Sequence, residues 1–242
     1  MARFRDTAGF WPTYAPHKLQ ALYSLPTPVD TSMEGRVELC IGKLGFGKTT
    51  WAALRAQRLA RATGRGLATN GVDWPSIFRP VHSWEAMEDL QDCIFVQDEI
   101  HLMMPQAAGM VSAKDAKRYM DTSSLWRHRG VDVIGTAQSW TRPSTQFRHL
   151  VTTVWVLRVS KRGVLHYATP YDNPDDGGMQ VFSRQWFGPE AAMIPSKAPV
   201  WHGQDPDKFA KVVEDWRRAS TGANAWGAPE GAADTTLRLP TG

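Results

Sequence analysis

The sequence predicts an α/β fold with a mostly parallel central sheet, flanked by helices and finished by antiparallel strands. Three observations predict it. The run at 93–96 has the unbroken hydrophobicity of a parallel strand covered on both faces, and 37–41 and 131–137 read as further buried strands. Helical patterns stand between these runs, so strands and helices alternate along the chain. Two β-rich runs at 152–159 and 164–169, joined by the tight Lys161-Arg162-Gly163, read as a hairpin.

Each element has its own local reason. Residues 1–35 carry Pro12, Pro16, Pro26 and Pro28 among scattered aromatics, and read as an extended N-terminal arm with a short helix at 18–23. The main domain spans 36–218. Its first strand, Val37-Glu38-Leu39-Cys40-Ile41, runs into a glycine-rich loop, and a helix at 51–63 runs out of it until Gly64 and Gly66 stop it. Residues 67–69 form a short strand, and Pro75 and Pro80 break the next segment. Ser83 caps a helix reaching to about Gln91, with Glu85 in its first turn. After the strand at 93–96 comes a loop at 102–110 holding Pro105 and Gly109, then a helix at 112–128 ended by Gly130. The strand at 131–137 leads to a short helix capped by Ser144. A polar loop at 172–178 comes after the hairpin, and 206–218 reads as the last helix. Residues 219–242 are rich in Ala, Gly and Thr without periodicity and read as a disordered tail.

Composition narrows the class. With 242 residues, 42% of them hydrophobic, the chain holds one sizeable domain with extensions. No apolar run is long enough to span a membrane, and the N-terminus lacks the apolar stretch of a signal peptide. Cys40 and Cys93 both fall in core strands and read as small buried hydrophobes in a reducing cytosol. The seven histidines show no ligand spacing. A net charge of +4 is compatible with nucleic-acid contact and equally ordinary for a soluble protein. The eleven tryptophans are expected to pack in the core or between subunits.

The chemistry begins at Gly42-Lys43-Leu44-Gly45-Phe46-Gly47-Lys48-Thr49-Thr50, which reads G-x-x-x-x-G-K-T, the Walker A loop that wraps a nucleotide triphosphate. Glycines at 42, 45 and 47 leave room for phosphates and allow unusual backbone angles. Lys48 reaches the β- and γ-phosphates, the Thr49 hydroxyl holds Mg²⁺, and the helix beginning there aims its free N–H groups at the anion. ATP and Mg²⁺ are the expected ligands. A carboxylate must complete the magnesium site, and Ile94-Phe95-Val96-Gln97-Asp98-Glu99 supplies it at a strand end. Asp98 is expected to bind the metal, and Glu99 to polarise the attacking water as general base. Asp98-Glu99-Ile100-His101 also matches the D-E-x-H of two-lobed helicases. This chain has room for one lobe, so His101 reads as incidental. Gln138 ends the next strand, where it is placed to contact the γ-phosphate or its water.

The loop at 42–49, the Asp98-Glu99 pair, and Arg127-His128-Arg129-Gly130 leading to Gln138 together resemble the FtsK–HerA superfamily of DNA-pumping ATPases. Ala137 stands where that family usually has Thr. The resemblance covers roughly 36–160, and two branches fit. One comprises the genome-packaging ATPases of tailless, membrane-containing phages. The other comprises phage assembly proteins related to zonula occludens toxin, whose R-H-x-G-x-D-I-I run is similar to 127–134 here. Proteins of the second branch usually carry a transmembrane segment after the ATPase domain, which favours the packaging reading over virion extrusion.

The resemblance implies a RecA-like P-loop NTPase that assembles into a ring, a hexamer by preference, with ATP at each subunit boundary. It implies double-stranded DNA as the substrate moved, capsid or membrane-vertex proteins as partners, and the host cytoplasm or the virion as location. It also implies an arginine supplied in trans. Arg127 matches the position three before the glycine, with Arg129 and Arg148 as alternatives. For DNA backbone contact the candidates are Lys114, Lys117 and Arg118 beyond the acidic pair, the hairpin tip Lys161-Arg162, and Arg55, Arg58, Arg61 and Arg65. A small-molecule kinase or nucleotide switch fits less well, because Asp98-Glu99 and Gln138 suit hydrolysis and no arginine-rich lid is evident.

Overall fold

A computed structural model describes residues 35–72, 74, 77–104, 112–159, 166–176, 185–187 and 198–221. The N-terminal arm, the loop with Gly109, the hairpin tip Lys161-Arg162 and nearly all of the C-terminal tail lie outside the described residues. Strands β1 (Val37–Ile41), β2 (Gly66–Thr69), β3 (Phe78–Pro80), β4 (Cys93–Gln97), β5 (Val131–Ala137), β6 (Thr153–Val159), β7 (His166–Asp172) and β8 (Gln185–Phe187) make one eight-stranded sheet in the order β3-β2-β4-β5-β1-β6-β7-β8. From β3 to β6 every neighbouring pair is parallel, and β7 and β8 are added antiparallel. This is the expected mostly parallel sheet with an antiparallel end. The strand β5 lies between β1 and β4, in the RecA-like manner, so the glycine-rich loop and the acidic strand end are separated by one strand.

The helices are α1 (Lys48–Thr63), α2 (Trp84–Glu88), α3 (Ala113–Trp126), α4 (Thr145–Arg148) and α5 (Pro206–Thr221). Helix α1 starts three residues earlier than the apolar pattern indicates, because Lys48, Thr49 and Thr50 are recruited into its first turn. Helix α2 stops at Glu88 rather than near Gln91, with Ser83 Oγ accepting from the Ala86 N–H as expected. Asp92, just before β4, has φ of 42° and donates its N–H to Arg129 O. The last helix runs on to Thr221, three residues into the segment expected to be a tail.

Two hydrophobic layers sandwich the sheet, and strand alternation sorts residues between them. Ile94, Val96 and Ile134 face α1, where Trp51, Ala52, Leu54 and Leu59 pack. Phe95, Val131 and Val133 face the other way, onto Met87, Tyr119, Trp126, Phe147 and Trp201. Both faces are covered, which is why β4 is apolar at consecutive positions from Cys93 to Val96. Six of the tryptophans, at 51, 74, 84, 126, 155 and 201, are buried in these layers. Cys40 and Cys93 are free and buried, as their strand positions indicate.

Two of the candidate arginines for DNA contact are engaged in ion pairs within the fold. Arg55 makes a bidentate bridge to Glu38, at 2.9 Å and 2.8 Å, with both residues buried. Arg65 donates to Gly130 O and pairs with Asp132, whose other oxygen accepts from the Arg36 N–H. Helical spacing shows which residues share a face, but not that the face is covered by a buried carboxylate. Arg61 stays exposed, and Arg58 lies over the Trp51 ring.

Candidate active site

The C-terminal ends of β1, β4 and β5 form one edge, and the loop at 42–50, Asp98, Glu99 and Gln138 gather there. Register explains the gathering. Ile41 is paired with Ala137, so the loop beginning at Gly42 leaves the sheet beside Gln138. Gln97 is paired with Gly135, so the next residues, Asp98 and Thr136, emerge side by side. Thr136 has the parity of Ile134 and faces α1, whose first turn carries Thr49.

The loop itself is shaped for a close approach. Gly47 has φ of 79° and forms the N-cap of α1 without any side-chain cap, leaving the helix's first N–H groups unclaimed by a capping side chain. A Cβ on Gly42 would lie 2.9 Å from Leu157 O, a backbone atom of the neighbouring strand. Lys43, Leu44 and Gly45 are exposed, Leu44 at 82%. Phe46 leans on the α1-side core, and Thr50 is half-buried. Lys48 is buried, its Nζ 3.5 Å from Lys43 O.

Thr49 Oγ1 lies 3.0 Å and 3.2 Å from the two carboxylate oxygens of Asp98. Asp98 is further held from two sides. Thr136 Oγ1 donates to its Oδ1 at 2.6 Å, and its own N–H donates to Asn70 Oδ1 at 3.0 Å. Burial pushes the Asp98 carboxyl up, against the pull of Thr136, Thr49 and Lys48, so the group gains from a nearby cation. A threonine hydroxyl and a carboxylate are hard oxygen donors, the kind Mg²⁺ takes. Their mutual distance and the burial of Asp98 fit that ion.

Glu99 comes next with φ of 51°, a left-handed backbone uncommon outside glycine. The strain is held by Thr136, whose hydroxyl accepts from the Glu99 N–H at 2.9 Å. Burial first, then the Asp98 charge, raise the Glu99 carboxyl. Gln138 is half-buried just past β5.

The arginines are not equivalent. Arg127, His128 and Arg129 form a 3-10 turn before β5, at the opposite edge of the sheet. The seven residues of β5 separate that turn from the site by roughly 20 Å. Arg127 is exposed there, and no side-chain hydrogen bond or ion pair engages it among the described residues. Arg129 donates to Glu88 O, and Arg148 lies 3.5 Å from Asp175 and against the Trp140 ring. Arg118 pairs with Glu85 and Glu88, and Lys117 with Asp121.

Sequence reasoning missed three groups. Thr136 orients both carboxylate residues. The family pattern looked for a hydroxyl at 137, but strand alternation turns 136 toward α1. Asn70 holds the Asp98 backbone, a role no local pattern signals. Arg142, in the turn closed by its own N–H to Ser139 O, is near enough to act electrostatically on Glu99 and His101.

No family model and no curated protein matches the sequence. Among solved structures the chain is similar to the N-terminal domain of zonular occludens toxin from Neisseria meningitidis, at 16% identity and a TM-score of 0.45, over 64% of this chain and 94% of that one. It is similar to the genome packaging NTPase B204 from Sulfolobus turreted icosahedral virus 2 in complex with ATP-gammaS, at 10% identity and a TM-score of 0.45, over 62% of this chain and 97% of that one. It is also similar to a DnaB-like replicative helicase, at 11% identity and a TM-score of 0.45, over 63% of this chain and 55% of that one.

Proposed function

We propose that the chain is an ATP hydrolase that works as a ring of like subunits and moves double-stranded DNA, filling a phage capsid. The observation that carries the hydrolytic part is the meeting of Thr49 and Asp98 at 3.0 Å beside Lys48, with Glu99 next in line. In this reading the loop at 42–50 wraps the phosphates, and Lys48 binds the β- and γ-phosphates. Thr49 and Asp98 hold Mg²⁺, which when bound offsets charge on the phosphate oxygens. Glu99 takes a proton from water as its oxygen attacks the γ-phosphorus, and the bond to the β–γ bridging oxygen breaks, releasing ADP. Gln138 orients that water or the γ-phosphate. The DNA-moving part rests on the motif resemblance alone.

Phosphate release from Mg-ATP, measured with and without double-stranded DNA, tests both parts. Turnover that rises with DNA supports translocation; turnover indifferent to DNA favours an ATPase of virion extrusion. Lys48→Ala is expected to lower turnover by about 10²- to 10³-fold, since it removes a cation aimed at developing charge. Unchanged turnover in that variant would overturn the site.

Arg127 is the proposed trans finger. It stands too far from its own loop to serve it, and it is exposed at the opposite sheet edge. Mixing Lys48→Ala with Arg127→Ala chains is expected to restore part of the activity that each lacks alone. In a mixed ring some boundaries join an intact loop to an intact arginine. If both variants assemble and no mixture recovers, Arg127 does not act across a boundary.

A further inference from the structure

His101 takes no part in the hydrolytic step, yet its surroundings are particular. It is 5% exposed and sits in the 3-10 turn Ile100–Leu102 directly after Glu99. Ile100 anchors that turn by packing over Gly135, where an added Cβ would come within 3.1 Å of Ile100 Cδ1. His101 Nδ1 lies 3.2 Å from Glu99 Oε2. Both atoms are sealed from solvent, and neither makes a hydrogen bond. A buried polar atom without a partner carries an uncompensated desolvation cost. Two such atoms in contact, one on a residue with strained backbone, need only a small rotation to satisfy each other. The Glu99 side chain remains 24% exposed although its Oε2 is sealed from solvent.

A second element is tied to the acidic strand end. Val200 bridges Gly71, and the Trp201 N–H donates to Asn70 O at 2.8 Å. The Asn70 amide donates to Trp201 O at 3.0 Å while its oxygen accepts the Asp98 N–H. Asn70 therefore ties the Asp98 backbone to the segment that carries His202. That segment places His202 close enough to His101 for the two rings to act on each other electrostatically.

We propose that His101 is a positioning residue for Glu99: its Nδ1–H donates to the inward carboxylate oxygen and turns the outer oxygen toward the attacking water. The inference rests on the hydrolytic reading of the site. The charged and titratable groups around the imidazole are Glu99 and Asp98 at the end of β4, Lys48 on α1, Arg142 on the turn after β5, and His202. Burial first, then Arg142 and Lys48, keep the imidazole neutral. A neutral ring has one N–H, and the facing carboxylate selects Nδ1 to carry it.

The test compares the unaltered chain with His101→Ala and His101→Asn. The asparagine amide stands close to the place of Nδ1 and can donate in its stead. His101→Ala is expected to lower kcat up to about 100-fold through misplacement of the base, with KM for Mg-ATP unchanged. His101→Asn should regain most of that loss. Equal kcat in all three chains overturns the proposal, as does an equal loss in both variants. A measurement independent of turnover and of variant folding is the imidazole tautomer in the unaltered chain, read from long-range proton–nitrogen correlations. The Nδ1–H form supports the contact; the Nε2–H form overturns it. An unaltered chain that does not hydrolyse ATP sinks the hydrolytic reading, whereas an active chain insensitive to His101→Ala sinks the positioning role alone.

Discussion

Replacing Glu99 with glutamine is expected to slow ATP hydrolysis by about 10²- to 10⁴-fold while nucleotide affinity stays near that of the unaltered chain. The argument is one of shape held and basicity lost. Glutamine matches glutamate in size, and the backbone clamp from Thr136 to the residue's N–H does not depend on the side chain. The left-handed turn and the seat of Asp98 therefore persist. What disappears is a carboxylate raised by burial and by Asp98, a shift that brings a base closer to neutral pH, where proton transfer is most effective. Single-turnover phosphate release gives the rate, and titration with a fluorescent nucleotide gives the affinity. Rapid hydrolysis in Glu99→Gln would mean another group activates water. Loss of binding would mean that Glu99 builds the site and does not catalyse.

Glu38→Ala is expected to destabilise the fold by about 3–5 kcal/mol, because it leaves the Arg55 guanidinium buried without its anion. Glu38 is 2% exposed and Arg55 is 7% exposed. Glu38 also accepts from Trp155 Nε1 at 2.7 Å, and Arg55 lies 5.2 Å from the centre of that indole ring. For a chain of this length such a loss lowers the melting temperature by roughly 6–20 °C. Urea unfolding of Glu38→Ala, Arg55→Ala and the paired change Glu38→Leu with Arg55→Met measures it. The paired change should recover much of the stability, since it removes both buried charges together. Single variants as stable as the parent would show that water reaches the pair.

The same pair sets an acid sensitivity. Burial alone would raise the Glu38 carboxyl, but the Arg55 charge and the hydrogen bonds of Arg55 and Trp155 outweigh it, so the folded value is lowered. A lowered carboxyl in the folded state contributes stability above its unfolded value. That contribution is lost as pH falls through the folded value. The parent is therefore more acid-sensitive than the paired apolar variant.

How much of this was legible before folding differs from residue to residue. The strand at 93–96 announces itself because both faces of a parallel sheet are covered, and continuous hydrophobicity is the consequence, while those at 37–41 and 131–137 are legible as largely apolar runs. The glycine-rich loop is legible because close approach to phosphate restricts residue type and spacing together. Arg55 differs from its candidate role because helical periodicity reports a shared face without reporting what covers it, and Arg65 because nothing local signals its partner Asp132. Thr136 was overlooked because a family pattern was applied one residue away from the side chain that strand parity turns toward α1.

By itself the sequence determined the α/β class, the strand-loop-helix that frames Lys48 and Thr49, and the acidic pair ending a buried strand. These are local consequences of periodicity and residue chemistry. Only the tertiary structure decided that Thr136 and Asn70 clamp Asp98, that Glu38 and Arg55 form a buried pair, and that His101 faces Glu99. Those contacts join residues 28 to 38 positions apart around Asp98, and 17 apart for the buried pair. His101 is near in sequence, yet the turn that carries it is set by Ile100 packing over Gly135, a residue of another strand. Sheet register and packing set such meetings, and neither can be read from a stretch of chain taken alone.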